Sequence, residues 1–247
     1  MDERQTAGRT SSFLLVLFAA LVCADLLLIA LHVAKPYFAV LRPHYFSLEA
    51  DRGIAEYFQY LKQAAVIASL LFCWRWTRSP SFLIWSLFFA FMLYDDSQSM
   101  HERAGEWLAA AWALPAVFGL RPQDLGEIVF AALVAVATLC ALAASLVRER
   151  AAALAPSIIV TVLLAMLAVF GVLVDALHVV AYFAESRWSW VLAVVEDGGE
   201  LLVMSAIVAY TWWLAALEAR PPVLEQTVVL GGDVLSRYAF DVRASRT

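Results

Sequence analysis

Ser157–Phe183 reads SIIVTVLLAMLAVFGVLVDALHVVAYF, an apolar run into which one acid, Asp175, and one histidine, His178, are set. A membrane-spanning helix needs ~20 consecutive, mostly apolar residues, and this stretch supplies them. A surface helix of a soluble domain would show a polar face at helical spacing; none is visible here. The stretch therefore reads as a lipid-spanning helix carrying two ionisable side chains. Outward from it, segments 12–34, 54–74, 82–101, 126–147 and 188–217 meet the same test.

Composition agrees. The chain is 63% hydrophobic and 16% charged, with a mean hydropathy of +0.77, too few polar residues to clothe a water-soluble surface. The expectation is an all-α, polytopic membrane helix bundle of about six transmembrane helices over residues 1–217. Residues 218–247 follow as a polar cytoplasmic tail, whose Val-rich piece and Gly231-Gly232 suit a short hairpin. The net charge of −5 and the scattered basic residues exclude a nucleic-acid stripe. Arg far outnumbers Lys, and Ala and Leu are abundant, a composition of GC-rich bacteria that points to the bacterial inner membrane. Cys23, Cys73 and Cys140 each sit in an apolar run without CxxC spacing and read as buried core thiols.

The first span follows Arg4 and Arg9, as a signal peptide would. Its apolar run is too long and lacks a small-x-small cleavage pattern, so it reads as retained. Arg75 and Arg78 follow the second span, Arg148 and Arg150 the fourth, and Arg220, Arg237, Arg243 and Arg246 lie in the tail. The positive-inside rule then puts both termini in the cytoplasm. Residues 104–118, with Trp107, Trp112 and Pro115, read as a short helix lying at the outer interface or re-entering it.

The ionisable residues are concentrated in one half of these helices. Asp25 and His32 share a face of the first span. Glu56, Gln59 and Gln63 form a stripe on the second, and Asp95-Asp96 close the third ahead of His101. Asp175 and His178 stand at i, i+3 on the fifth, and Glu196, Asp197 and Glu200 lie on the sixth. Counting 1.5 Å per residue from each outer end, Asp25, Asp95, Asp175 and Glu196 fall roughly 10–14 Å below the surface. Each charge at the centre of a span costs ~2.5–3.5 kcal/mol even on lenient insertion scales, so these acids need a bundle interior or a wet cavity. Basic partners are scarce, Lys62 and Arg103 being the nearest. A bound metal, protons or a cationic substrate must balance the remainder.

Helical bundles build carboxylate-bridged metal sites from acids and histidines on facing helices. Asp175-x-x-His178 has the i, i+3 spacing of the Glu-x-x-His element of such sites, and Glu196 and Glu200 lie one turn apart. The expected ligands of a divalent metal ion (zinc, iron or manganese) are thus His101, Asp175, His178, Glu196 and Glu200, with Asp95 or Asp96 as orienter or general base. His32 reads as snorkelling from a span end and His44 as solvated. Glu56 suits the positive end of a helix dipole.

Tyr94-Asp95-Asp96-Ser97-Gln98-Ser99-Met100-His101-Glu102-Arg103, after Trp85 and an apolar run, resembles a family of uncharacterised bacterial multi-pass membrane proteins whose stretch reads approximately L-D-E-x-x-S-x-H-E-R. Phe46–Ile54 also resembles that family's acidic entry to its second helix. The resemblance covers the first half of the chain and implies no particular activity; Asp96 replaces the usual Glu. A more distant similarity is to the CREST membrane hydrolases, which hold zinc with Ser-x-x-x-His, a separate Asp and a later His-x-x-x-His. Ser97-x-x-x-His101 resembles the first element, which implies a catalytic place for Ser97, and Asp175 resembles the second. Glu196-x-x-x-Glu200 stands where the third would be, which favours a harder metal such as iron or manganese.

The function expected is a metal-dependent hydrolase or transferase acting on a lipid-like substrate from the outer side. The alternatives are a proton- or cation-coupled transporter and a non-catalytic accessory membrane subunit. Transport calls for ionisable residues in both halves of the spans, and the inner halves hold almost none.

Overall fold

A computed structural model describes residues 3–41, 43–147, 149 and 154–218; the tail expected over 218–247 lies beyond them save for its first residue. Eight α-helices follow in order: α1 Glu3–Ala34, α2 Ile54–Thr77, α3 Pro80–Gln98, α4 Met100–Ala111, α5 Pro122–Leu146, α6 Leu154–Ala168, α7 Asp175–Phe183 and α8 Ser189–Glu218. A π-helical segment, Val169–Val174, joins α6 to α7. Among the described residues no strand forms, only an isolated bridge between Val117 and Leu120.

Among the described residues, three helices are long and apolar enough to cross a membrane: Ser12–Ala34, Pro122–Leu146 and the α6–α7 run Leu154–Phe183. Their most apolar windows are only 6%, 11% and 17% buried, so the greasiest helices lie on the outside. The centre belongs instead to α2, α3 and α8, where Val66, Leu70, Phe89, Met204 and Ile207 are fully enclosed. Apolar outside and polar-bearing inside is the arrangement that lipid selects. Ionisable residues sit on both sets, Asp25 on α1 and Asp175 and His178 on α7 as well as the acids of α3 and α8.

Local signals set the helix ends. Pro80 and Pro122 occupy the first turns of α3 and α5, where a missing N–H does no harm. At the start of α3, the Glu149 carboxylate accepts hydrogen bonds from the Ser81 N–H at 2.8 Å and from the hydroxyls of Ser79 at 2.7 Å and Ser81 at 2.9 Å. At the other end of α3, Ser99 adopts the left-handed region (φ 46°) and breaks the helix. The third apolar segment, expected to run to 101, therefore stops at Gln98, and His101 belongs to α4. That helix spans 100–111, not 104–118, and lies tightly on α5. Gly105 and Gly126 permit the approach: a Cβ on Gly126 would collide with the Gly105 backbone carbonyl.

The cysteines depart from expectation. All are free, but only Cys73 is buried, because α1 and α5 turn Cys23 and Cys140 outward.

Candidate metal centre in a buried acidic layer

The N-terminal ends of α2, α5 and α8 and the C-terminal ends of α1, α3 and α7 gather at one end of the bundle, so each delivers its polar residues to the same level. The most compact group arises where α7 meets α8. Asp175 and His178 share one face of α7 at i, i+3, and Glu196 faces them from α8. His178 Nδ1 lies 2.8 Å from Glu196 Oε2. One donor atom from each of Asp175, His178 and Glu196 lies within 4.8 Å of the others. All three side chains are partly buried, and a single ion between them is within reach of each. A carboxylate oxygen of Asp175 lies within 4.8 Å of one of Glu196, and two carboxyls so placed favour sharing a proton or a cation.

The π-helical segment makes room for this meeting. Gly171 lies within it, and a Cβ there would strike the Glu200 carboxylate. Glu200 thereby reaches the α6–α7 backbone, one turn beyond Glu196, and interacts electrostatically with Asp96 and Asp175. It stands beside the converging group, outside its tight radius.

A second portion of the layer lies on α2, α3, α4 and α5. Fully buried Gln63 donates from Nε2 to Asp96 Oδ2 at 2.5 Å. Asp95 Oδ2 lies 3.3 Å from His101 Nδ1. That bond, aided by the charges of Asp95, Glu127 and Asp96, outweighs desolvation and holds the His101 imidazole up at about 9. His101 is thus an imidazolium at neutral pH, committed to Asp95, and the structure does not bring it into the Asp175 group. Two buried atoms here, Asp95 Oδ1 and Gln63 Oε1, lack a hydrogen-bond partner among the described residues.

Beside Asp96 opens a polar cleft of about 330 Å³, lined by Asp51, Arg52, Glu56, Asp96, Ser97 and Ser99 among others. Glu56 accepts from the Arg52 N–H and the Tyr60 hydroxyl, so it closes the start of α2 as a dipole partner would. The Ser97 hydroxyl donates to the Tyr94 carbonyl of its own helix at 3.1 Å; it lines the cleft and stays apart from the Asp175 group.

Other expected members of the layer have separate duties. Asp25 is fully buried and paired with Lys62 at 2.9 Å, and it accepts from the Ser205 hydroxyl at 2.5 Å. Lys62 also donates to the Leu201 carbonyl at 2.8 Å, so this pair pins α1, α2 and α8 together. Arg103 donates to the Gln98 carbonyl at the end of α3. Both basic candidates are therefore spent elsewhere, and neither balances the acids of the Asp175 group. His32 does not snorkel: it is buried, and its Nδ1 accepts from the Leu48 N–H at 3.0 Å, tying down the loop before α2. His44 is exposed, as expected.

Sequence reasoning passed over Glu127 and Asp124. Glu127 accepts from Gln123 at 2.9 Å and lies within the electrostatic reach of His101 and Asp175. Asp124 closes the first turn of α5 with the Arg121 guanidinium at 2.6 Å. The spacing Gln123-x-x-x-Glu127 was the available signal, hidden because the fourth apolar segment was counted from residue 126.

Fold and site together define, among the described residues, a helical bundle with three possible membrane spans and an acidic and histidine layer at one end. The chain belongs to the family described as "Domain of unknown function (DUF8692)", whose model matches residues 13–214. No curated protein and no solved structure matches it.

Proposed function

We propose that this protein is a six-span protein of the bacterial inner membrane, both termini cytoplasmic, which holds a divalent metal ion at Asp175, His178 and Glu196 near the outer face. On this reading α2, α3 and α8 cross the bilayer inside the ring of apolar helices, and the layer serves a hydrolase or transferase acting on a lipid-like substrate. The observation that carries it is the convergence of three donor atoms of ligating type within 4.8 Å. One nitrogen and two carboxylate donors suit zinc, iron or manganese.

When bound, such an ion supplies Lewis acidity and a water whose pKa falls to ~7. The side chains of this chain do the rest. Asp175 and Glu196 contribute the negative charge that retains a dication, and His178 holds the third position from α7. Glu200, one turn away, is placed to take a proton or a further ligating position. The cleft at Asp96 and Ser97 offers a polar seat for a headgroup next to the layer. The resemblance to CREST hydrolases favours hydrolysis only through Asp175 and Glu196-x-x-x-Glu200, which stands where the later His-x-x-x-His would be, since Ser97 and His101 lie apart from the group.

Conduction is less well supported. Beneath the layer, Leu70, Phe89, Met204 and Ile207 pack with no exposed surface, and a dry plug of this kind has no polar path through it. Elemental analysis of protein purified without chelators tests the proposal. About one equivalent of a divalent transition metal is expected, falling severalfold in His178→Ala and Asp175→Asn. Wild-type protein with no bound metal after incubation with zinc, iron(II) and manganese(II) would refute it.

A further inference from the structure

The connection between α4 and α5 carries a feature the metal centre does not use. Leu120 N–H bonds the Val117 carbonyl at 2.9 Å, closing a two-residue turn at Phe118 and Gly119. Both adopt positive φ, 54° and 83°. Such turns favour Asn or Gly at the first central position, and a bulky residue there is strained. Phe118 is also 93% exposed, the most exposed of the large hydrophobic side chains described. In water this arrangement is unfavourable twice over, through backbone strain and through a bare aromatic ring. In hydrocarbon the second penalty changes sign.

The surroundings say which medium applies. The turn leads directly into Pro122–Leu146 and rests on the end of Leu154–Phe183, both long and apolar enough to cross a membrane. Gly119 packs at the Val180 side chain of α7, where an added Cβ would lie 3.3 Å from Val180 Cγ1. The Arg121 guanidinium stacks over the Phe183 ring at 5.3 Å. Trp107, Trp112, Tyr182, Phe183 and Trp188 are all more than half exposed around it, as in an interfacial aromatic belt.

We propose that the 117–120 turn is a lipid-inserted lip, with Phe118 seated among acyl chains at the bilayer boundary while the turn braces the end of α7 against α5. Val180 stands two residues beyond His178 on α7 and so on another face of that helix, which leaves the lip and the candidate metal centre on different sides of α7. The inference rests on the membrane reading and not on the metal.

Site-directed spin labelling of the full chain tests it, with Cys23, Cys73 and Cys140 replaced by Ala and vesicles of phosphatidylcholine and phosphatidylglycerol. Nitroxides at Phe118→Cys, Leu133→Cys (apolar face of α5) and Glu49→Cys (exposed loop) are compared by collision with oxygen and with a water-soluble nickel chelate. The ratio of oxygen to nickel collisions at 118 should exceed that at 49 severalfold and approach that at 133. A ratio at 118 equal to that at 49 overturns the proposal, and so does shielding from both reagents, the signature of a protein partner. Phe118→Asn provides a second measure, since Asn keeps the turn. In the same vesicles it should melt below wild type, because the relieved turn does not offset the lost burial of the ring in hydrocarbon; melting at or above wild type overturns the proposal. Neither readout depends on metal content, so failure here leaves the metal proposal standing, and the reverse.

Discussion

Replacing Lys62 by Met should be among the most damaging single substitutions in this bundle, and pairing it with Asp25→Leu should restore much of the loss. The side chains of the ion pair are 1% and 0% exposed. Lys62 Nζ contacts Asp25 Oδ1 at 2.9 Å, the Leu201 carbonyl at 2.8 Å and the Ser205 hydroxyl at 3.5 Å. Met fills nearly the same volume, so packing changes little. What changes is that the Asp25 carboxylate keeps only the Ser205 hydroxyl among these partners, in a site closed to water. Removing one member of a buried ion pair costs ~3–5 kcal/mol, whereas replacing both by apolar residues is often neutral. In a chain of this size that corresponds to a fall in Tm of about 6–20 °C for the single variant. The assay is a double-mutant cycle by unfolding in mixed detergent, with Lys62→Met, Asp25→Leu and the pair. Additive single effects, or a Lys62→Met loss below ~1 kcal/mol, would show that the charges do not depend on each other and sink the reasoning.

Further outcomes follow from the same geometry. His101 has an ordinary pKa of 6.5 and is held up at about 9 by Asp95, so their pairing stabilises the fold fully below pH ~6.5 and is lost as pH rises through 9. The His101 side chain is 40% exposed, so screening limits the effect to below ~1 kcal/mol. The Tm gap between wild type and His101→Gln should shrink between pH 6 and pH 9.5, and an unchanged gap would contradict the pairing. Gly126→Ala forces a Cβ into the Gly105 backbone and should destabilise by ~1–3 kcal/mol in thermal melts, more than Gly171→Ala. In Gly171→Ala the new methyl meets only the mobile end of Glu200, so stability should change little while metal retention falls; equal melting losses in the two variants would undo this distinction. Glu149→Ala removes three hydrogen bonds at the start of α3, and a loss of ~1–3 kcal/mol is expected on unfolding.

The membrane character was legible because it depends on composition and run length, both local properties. That Asp175 and His178 share a face of one helix was legible, because the i, i+3 spacing fixes it. Pairing across helices was not. Asp25 sits at the same level as Asp175, yet its partner is Lys62, and only the rotation of α1 about its axis decides between the two. His32 failed similarly: position near a span end suggested snorkelling, while the loop carrying Leu48 folds back over it. The break at Ser99 is a left-handed serine with no glycine or proline to announce it, so His101 was assigned to the wrong helix. Asp124 and the Gln123 partner of Glu127 were lost to a boundary drawn a few residues off, since α5 starts at Pro122 and not at 126.

The π-helical segment before Asp175 also sets how that residue is aimed. A π turn corresponds to one residue too many in an otherwise regular helix. Wind Val169–Val174 into regular α-helix without losing a residue and the part downstream swings by about 100°. Asp175 and His178 would then look into lipid instead of toward Glu196, while the length and greasiness of the span would hardly change. The extra residue and the wider turn that absorbs it therefore decide which way the last two turns of this span face, so the aim of the centre is held by backbone as much as by the identity of its ligands.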